Sequence, residues 1–119
     1  MLGRRGQGRA ERVALARAGA RLEPMALYPE PLRIDRVRIL HLPWLFRLPW
    51  FRRFDGYESC GQILIRRPLQ ETSDDLITHE LCHVWQEQHG RTKMWLSYLL
   101  GYRENPNEVE ARRAVAETR

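Results

Sequence analysis

The stretch His79-Glu80-Leu81-Cys82-His83 carries three side chains of types that can do chemistry together. On a helix, residues four apart lie on one face a turn apart, so both imidazoles can reach one ion. Zn²⁺ held that way sits at about 2.0–2.1 Å from each ring nitrogen. Glu80 lies roughly 100° round the helix from His79, within reach of a metal-bound water but off the metal itself. A carboxylate there can take the water's proton and later deliver it to a leaving amine. Zn²⁺ lowers the pKa of that water and polarises a substrate carbonyl. H-E-x-x-H therefore predicts peptide-bond hydrolysis, provided it is helical. Leu76, Ile77, Thr78, Leu81, Cys82, Val84 and Trp85 surround it, so the segment reads as a buried helix. Burying two His and a Glu without partners is costly, and a metal with its water would satisfy all three. Cys82 faces away from both His residues and reads as a small core residue.

The helix offers two ligands, and a third must come from elsewhere. His89 is the nearest candidate. On an unbroken helix it lies about 240° round from His83 and about 9 Å further along, so it cannot converge on the same ion. It is expected at the helix end, facing the negative pole of the dipole. The second candidate lies in Asn105-Pro106-Asn107-Glu108-Val109-Glu110-Ala111. On a helical wheel Glu108 falls among Val109, Ala111, Val115 and Ala116, while Glu110 falls towards Arg113 and Glu117. Glu108 is thus the carboxylate aimed inward and the expected third ligand, with Glu110 in reserve. The competing role for Glu108 is a capping box with Asn105.

These residues need elements to position them. Residues 1–8 read as a flexible tail and 9–119 as a single domain. Residues 9–22 show helical spacing of Val13, Leu15, Ala16, Ala20 and Leu22. Pro24, Pro29 and Pro31 force an irregular connection. Arg33–Leu42 and Gln62–Arg67 alternate as strands, and Pro68 ends the second. Between them Pro43 and Pro49 bracket an aromatic loop of Trp44, Phe46, Trp50, Phe51 and Phe54, and Gly56 and Gly61 mark a turn. That loop reads as domain core, with a substrate lip, a partner site or a membrane-surface anchor as the functional alternatives. Thr72 or Ser73 caps the long helix that runs to about His89, with Thr72 and Asp75 as a capping-box pair. Residues 93–102 read as an apolar helix. Asn105-Pro106 opens the last one. The expected fold class is α+β, with a small sheet packed on the HExxH helix and a C-terminal helix.

Composition narrows the function classes. The chain has 119 residues, 43% hydrophobic, which makes one small domain with material for a core. Its longest uncharged runs, Ile39–Phe46 and Met94–Tyr102, are too short to span a membrane. Glu11 and Arg17 interrupt what would be the apolar part of a secretory leader, so a cytoplasmic protein is expected. Two cysteines, Cys60 and Cys82, make neither a disulfide scaffold nor a Cys-x-x-Cys metal site. All but one of the 20 basic residues are Arg, Lys93 being the exception. Residues 1–53 hold 12 Arg against 4 acidic residues, a balance of +8, and the remainder carries −3. The basic half is expected to be a solvated face, with nucleic acid or anionic lipid as its possible partners.

Taken together, D-D-L-I-T-H-E-L-C-H-V-W-Q, the preceding G-Q-I-L-I and the later G-Y-R-E-N-P-N-E-V-E-A resemble the gluzincin metallopeptidases and short bacterial zincin-like domains. The metallopeptidase-like core domain of contractile injection systems is one of these. The resemblance covers about residues 57–116 and implies His79, His83 and Glu108 as Zn²⁺ ligands with Glu80 as base. It also implies an edge strand, here Gln62–Arg67, lying over the site to pair with an extended peptide or protein substrate. Arg112 departs from the pattern, since abortive-type and membrane zincins usually carry there an Asp or Asn that supports a His. The His79, His83, His89 spacing also matches metzincins and the bacterial endoribonuclease that matures ribosomal RNA. Both have Gly where this chain has Gln86, so their chain reversal is not expected. Tyr98, Tyr102 and Arg103 are candidates to stabilise an oxyanion, with packing or surface roles as the alternative. The leading expectation is a zinc metallopeptidase. The alternatives are a nucleic-acid-associated metal protein using the basic half, and a non-catalytic zinc-binding interaction module.

Overall fold

Among the described residues, three α-helices and a three-stranded sheet surround an apolar core. The computed structural model describes residues 7–89 and 106–119. Helix α1 spans Arg9–Leu22 and buries Ala14, Leu15, Ala18 and Leu22, the i, i+4 stripe expected of a helix packed on one side. Gln7, expected in the tail, donates to the carbonyls of Ile34 and Val37, and Gly8, expected there too, is the N-cap residue of α1. Glu11 ties that helix to the sheet. Its carboxylate accepts from the backbone N–H of Ile39 at 2.7 Å, from Arg38 at 2.9 Å and from Gly8 at 3.0 Å. Burial raises its pKa, but these bonds outweigh burial and leave it below the ordinary range.

The sheet differs from expectation in two respects. Strand β1 is only Ile39–His41, because the chain turns at residues 35 and 36, closed by the Val37 N–H donating to the Ile34 carbonyl. Strand β2, Gly56–Ser59, was not legible as a strand, since Gly56 and Gly61 read as turn markers. Strand β3 is Gln62–Ile65. The order is β1-β3-β2, with β1 parallel and β2 antiparallel to β3. The expected edge strand at 62–67 is therefore the central one, and β2 is an edge. Cys60 and Gly61 join β2 to β3 with φ of 52° and 80°, the two left-handed residues of a type I′ hairpin turn. Ile63 and Ile65 face the helices. Leu64 and Tyr57 face Phe46 and Phe54 of the aromatic loop, so that loop closes the second side of the sheet.

Helix α2, Asp74–Gln88, runs through the middle, with every residue from Ile77 to Gln86 except His79 buried. Ser73 rather than Thr72 caps it, accepting from the Leu76 N–H at 3.1 Å. The Thr72 hydroxyl instead donates to the Pro68 carbonyl at 3.0 Å. Gly56 lets β2 press on α2: a Cβ there would stand 3.1 Å from a Leu76 methyl. Helix α3, Pro106–Thr118, packs Ala111 and Ala114 into the same core. Asp75 joins all three helices, pairing with Arg21 and Arg119 at 3.0 Å each. The expected helix at residues 93–102, the cap at Asn105 and the first six tail residues lie outside the described residues.

Glu58 on β2 is 2% exposed, with Glu87 of α2 beside it and Glu80 near. Burial and then Glu87 push its carboxyl up to about 9, against a 2.9 Å bond from the Gly61 N–H that favours the anion. The folded protein thus holds a proton that the unfolded chain releases in the ordinary carboxylate range. Stability is expected to fall as pH rises from that range towards about 9. Glu58→Gln should flatten this dependence, read as Tm measured at about pH 5 and about pH 8.

Candidate metal centre

Helix α2 presents His79 and His83 on the face that meets α3, and α3 brings Glu108 to the same point. Glu108 is fully buried, and its Oε1 lies 2.7 Å from His79 Nε2 and 2.6 Å from His83 Nε2. The imidazole rings stand edge to face with centroids 4.9 Å apart. One ligand atom from each of the three residues lies within 4.8 Å of the others, a group that could hold a metal ion. Among the described residues it is the one such group. Burial raises the Glu108 carboxyl, but hydrogen bonds and charge from His79 and His83 outweigh it and hold the group well below the ordinary range.

The protons around His83 set a conflict. Its Nδ1 lies 2.8 Å from Gln86 Oε1. The amide orientation of Gln86 is fixed by its nitrogen, which donates to the Asn107 carbonyl at 3.0 Å and to Glu110 Oε1 at 2.9 Å. The Gln86 oxygen must then accept, and His83 Nδ1 is the donor. A neutral His83 therefore turns the lone pair of Nε2 on a carboxylate oxygen. Positive charge is required at this contact, from an added proton or from a cation. Glu108 Oε2 is also buried, with no hydrogen-bond partner.

Glu80 is 5% exposed, and burial pushes it up to about 7, with Glu108 adding and His79 opposing. His79 and Glu80 line a cleft of about 580 Å³ whose walls include Gly56 of β2 and Arg112 of α3. On its side away from β3, β2 has no strand partner among the described residues.

His89 caps the C-terminus of α2, stacks on Tyr28 at 4.8 Å and lies 3.8 Å from Glu30, apart from the His79, His83 and Glu108 cluster. Glu110 does not join the Arg113 face. It accepts from Tyr28 Oη at 2.8 Å and from Gln86, holding the amide that holds His83. Val109 is 48% exposed and Ala116 is exposed, so the inward face of α3 is Asn107, Glu108, Ala111, Ala114 and Val115. Gln86 is the functional residue that sequence reasoning passed over. Its position three after His83 on one helix was the available signal. Tyr98, Tyr102 and Arg103 lie outside the described residues. Compared with protein-family models, curated proteins and solved structures, the chain matches none.

Gln86→Leu removes the partner of His83 Nδ1 and leaves the Glu110 carboxylate and the Asn107 carbonyl short of a donor. A loss of about 1–3 kcal/mol in urea unfolding is expected. Tyr28→Phe, which removes one bond to Glu110, should cost about 1 kcal/mol.

Proposed function

We propose that this chain is a minimal zincin-like domain of gluzincin type, a zinc-dependent metallopeptidase acting on peptide or protein substrates. His79, His83 and Glu108 would hold Zn²⁺, and Glu80 would serve as general base and acid. The observation that carries this reading is the contact between His83 Nε2, whose proton sits on the opposite nitrogen, and the buried carboxylate of Glu108. A cation there resolves the conflict and gives the orphaned Glu108 Oε2 a partner. Two imidazoles and one carboxylate are a donor set suited to zinc, and three protein ligands leave the open position of a catalytic site. When bound, Zn²⁺ supplies Lewis acidity to a carbonyl and lowers the pKa of water.

The other residues fit the same reaction. Glu80 lines the cleft beside His79, where its carboxylate can take a proton from an attacking water and return it to a departing amine. The edge of β2 that has no strand partner among the described residues reaches the same cleft at Gly56, so an extended peptide can add to the sheet there through its backbone. This moves the substrate strand from residues 62–67 to residues 56–59. Gln86 orients His83, a role the family pattern would have assigned to position 112.

Elemental analysis of tag-free protein is expected to find about one zinc per chain, lost in Glu108→Ala and retained in Glu110→Ala at reduced affinity. Glu80→Gln should keep the metal and lower peptide hydrolysis by at least about 10²-fold. A wild-type protein that stays metal-free after zinc addition overturns the site. Undiminished hydrolysis by Glu80→Gln overturns the mechanism.

A further inference from the structure

The aromatic loop has two sides. Phe46 and Phe54 point inward and close the sheet. Trp44, Leu48 and Trp50, within seven residues of one another, remain 57%, 45% and 41% exposed. These are three of the five exposed large hydrophobic residues among those described. Arg47, Arg52 and Arg53 are exposed on the same loop, and no acidic residue occurs from Arg36 to Phe54.

The loop is staked rather than loose. The Arg66 guanidinium donates to the carbonyls of Phe46, Phe51 and Arg52 from beneath it. Trp50 packs edge-on to Phe51 at 4.8 Å and to Phe54 at 5.3 Å, and Arg53 lies over the Trp50 ring at 5.3 Å. Trp44 and Leu48 are thereby held towards water on a fixed backbone, with the packed, half-buried Trp50 beside them and positive charge between. Exposing that much apolar surface is unfavourable unless something covers it.

We propose that this loop docks the protein on the surface of an anionic lipid bilayer. Indole rings settle at the headgroup level, and the exposed Leu48 can enter the acyl boundary. Arg side chains reach back to lipid phosphates while their stems stay apolar. The charge complements an anionic leaflet and the apolar tips complement its interior. A nucleic acid would use the arginines and the indoles but offers nothing to Leu48 and Pro49. The attachment is peripheral, since no described helix is long and apolar enough to cross a membrane. Arg53 and Phe54 also line the cleft at His79 and Glu80, so docking would place that cleft near the lipid surface. The inference stands independently of the metal reading.

The test is co-sedimentation of the full chain with vesicles of phosphatidylcholine alone and of equimolar phosphatidylcholine and phosphatidylglycerol. Binding is expected to the mixed vesicles and not to the neutral ones. Trp44→Ser with Leu48→Ser should weaken it roughly tenfold or more, because both side chains present apolar surface to the bilayer, with an unchanged urea-unfolding midpoint showing that the fold is kept. Arg47→Gln should weaken it about fivefold. Quenching of wild-type Trp emission by brominated acyl chains gives a readout that needs no variant. No sedimentation with mixed vesicles, no quenching, or equal binding by the Trp44/Leu48 variant overturns the proposal. So does tighter retention on a single-stranded oligonucleotide than on the vesicles.

Discussion

A fully buried carboxylate faced by two imidazole nitrogens is the constraint to which the rest of this domain answers. Glu108 has no solvent to share its charge, and one of its oxygens stands within 2.7 Å of both His79 and His83. Holding such a contact inside a small protein requires that both helices be fixed on every side. Helix α2 meets this by being buried over nearly its whole length, with α1, α3 and β2 against it. Asp75 clamps the ends of the three helices with two arginines, one helical turn before His79. The apolar core and the surface clamp therefore serve the same geometry.

A second level of support runs through a chain of hydrogen bonds. Gln86 takes the proton of His83, Glu110 and the Asn107 carbonyl take those of Gln86, and Tyr28 completes Glu110. Each group in this chain fixes the orientation of the next, and a fixed imidazole orientation is what a ligand or an ion pair needs. The glutamine that occupies position 86 thus has two consequences. It keeps the helix unbroken, so His89 is carried off to Tyr28 and Glu30. It also fixes the imidazole of His83 through its own side-chain oxygen.

The sheet divides the molecule by chemistry. The face of Ile63 and Ile65 seals the helices, and the face of Tyr57 and Leu64 is sealed by a loop that leaves its own Trp44, Leu48 and Trp50 outside. One edge, β2, reaches the cleft at Gly56, where the missing side chain lets the strand approach Leu76. The proposed reaction and the proposed docking surface meet at Arg53 and Phe54, where the loop enters that edge.

Local patterns in the sequence were enough for α1, for α2 with its two histidines on one face, and for α3 opened by proline, because helical periodicity and caps are encoded within a few neighbours. They also separated His89 from the cluster, since helix geometry alone forbids its convergence. They did not contain strand order. Gln62–Ile65 alternates like any edge strand, yet it is central because β1 and β2 pair on both sides of it, and pairing is a non-local choice. Glycines at 56 and 61 masked β2, whose close approach to α2 exists only once the helix is in place. The wheel of α3 gave Glu108 an inward direction but set Glu110 on the outer face. Only the crossing of α3 with α2 and Tyr28 decided that Glu110 supports the histidine while Glu108 meets both.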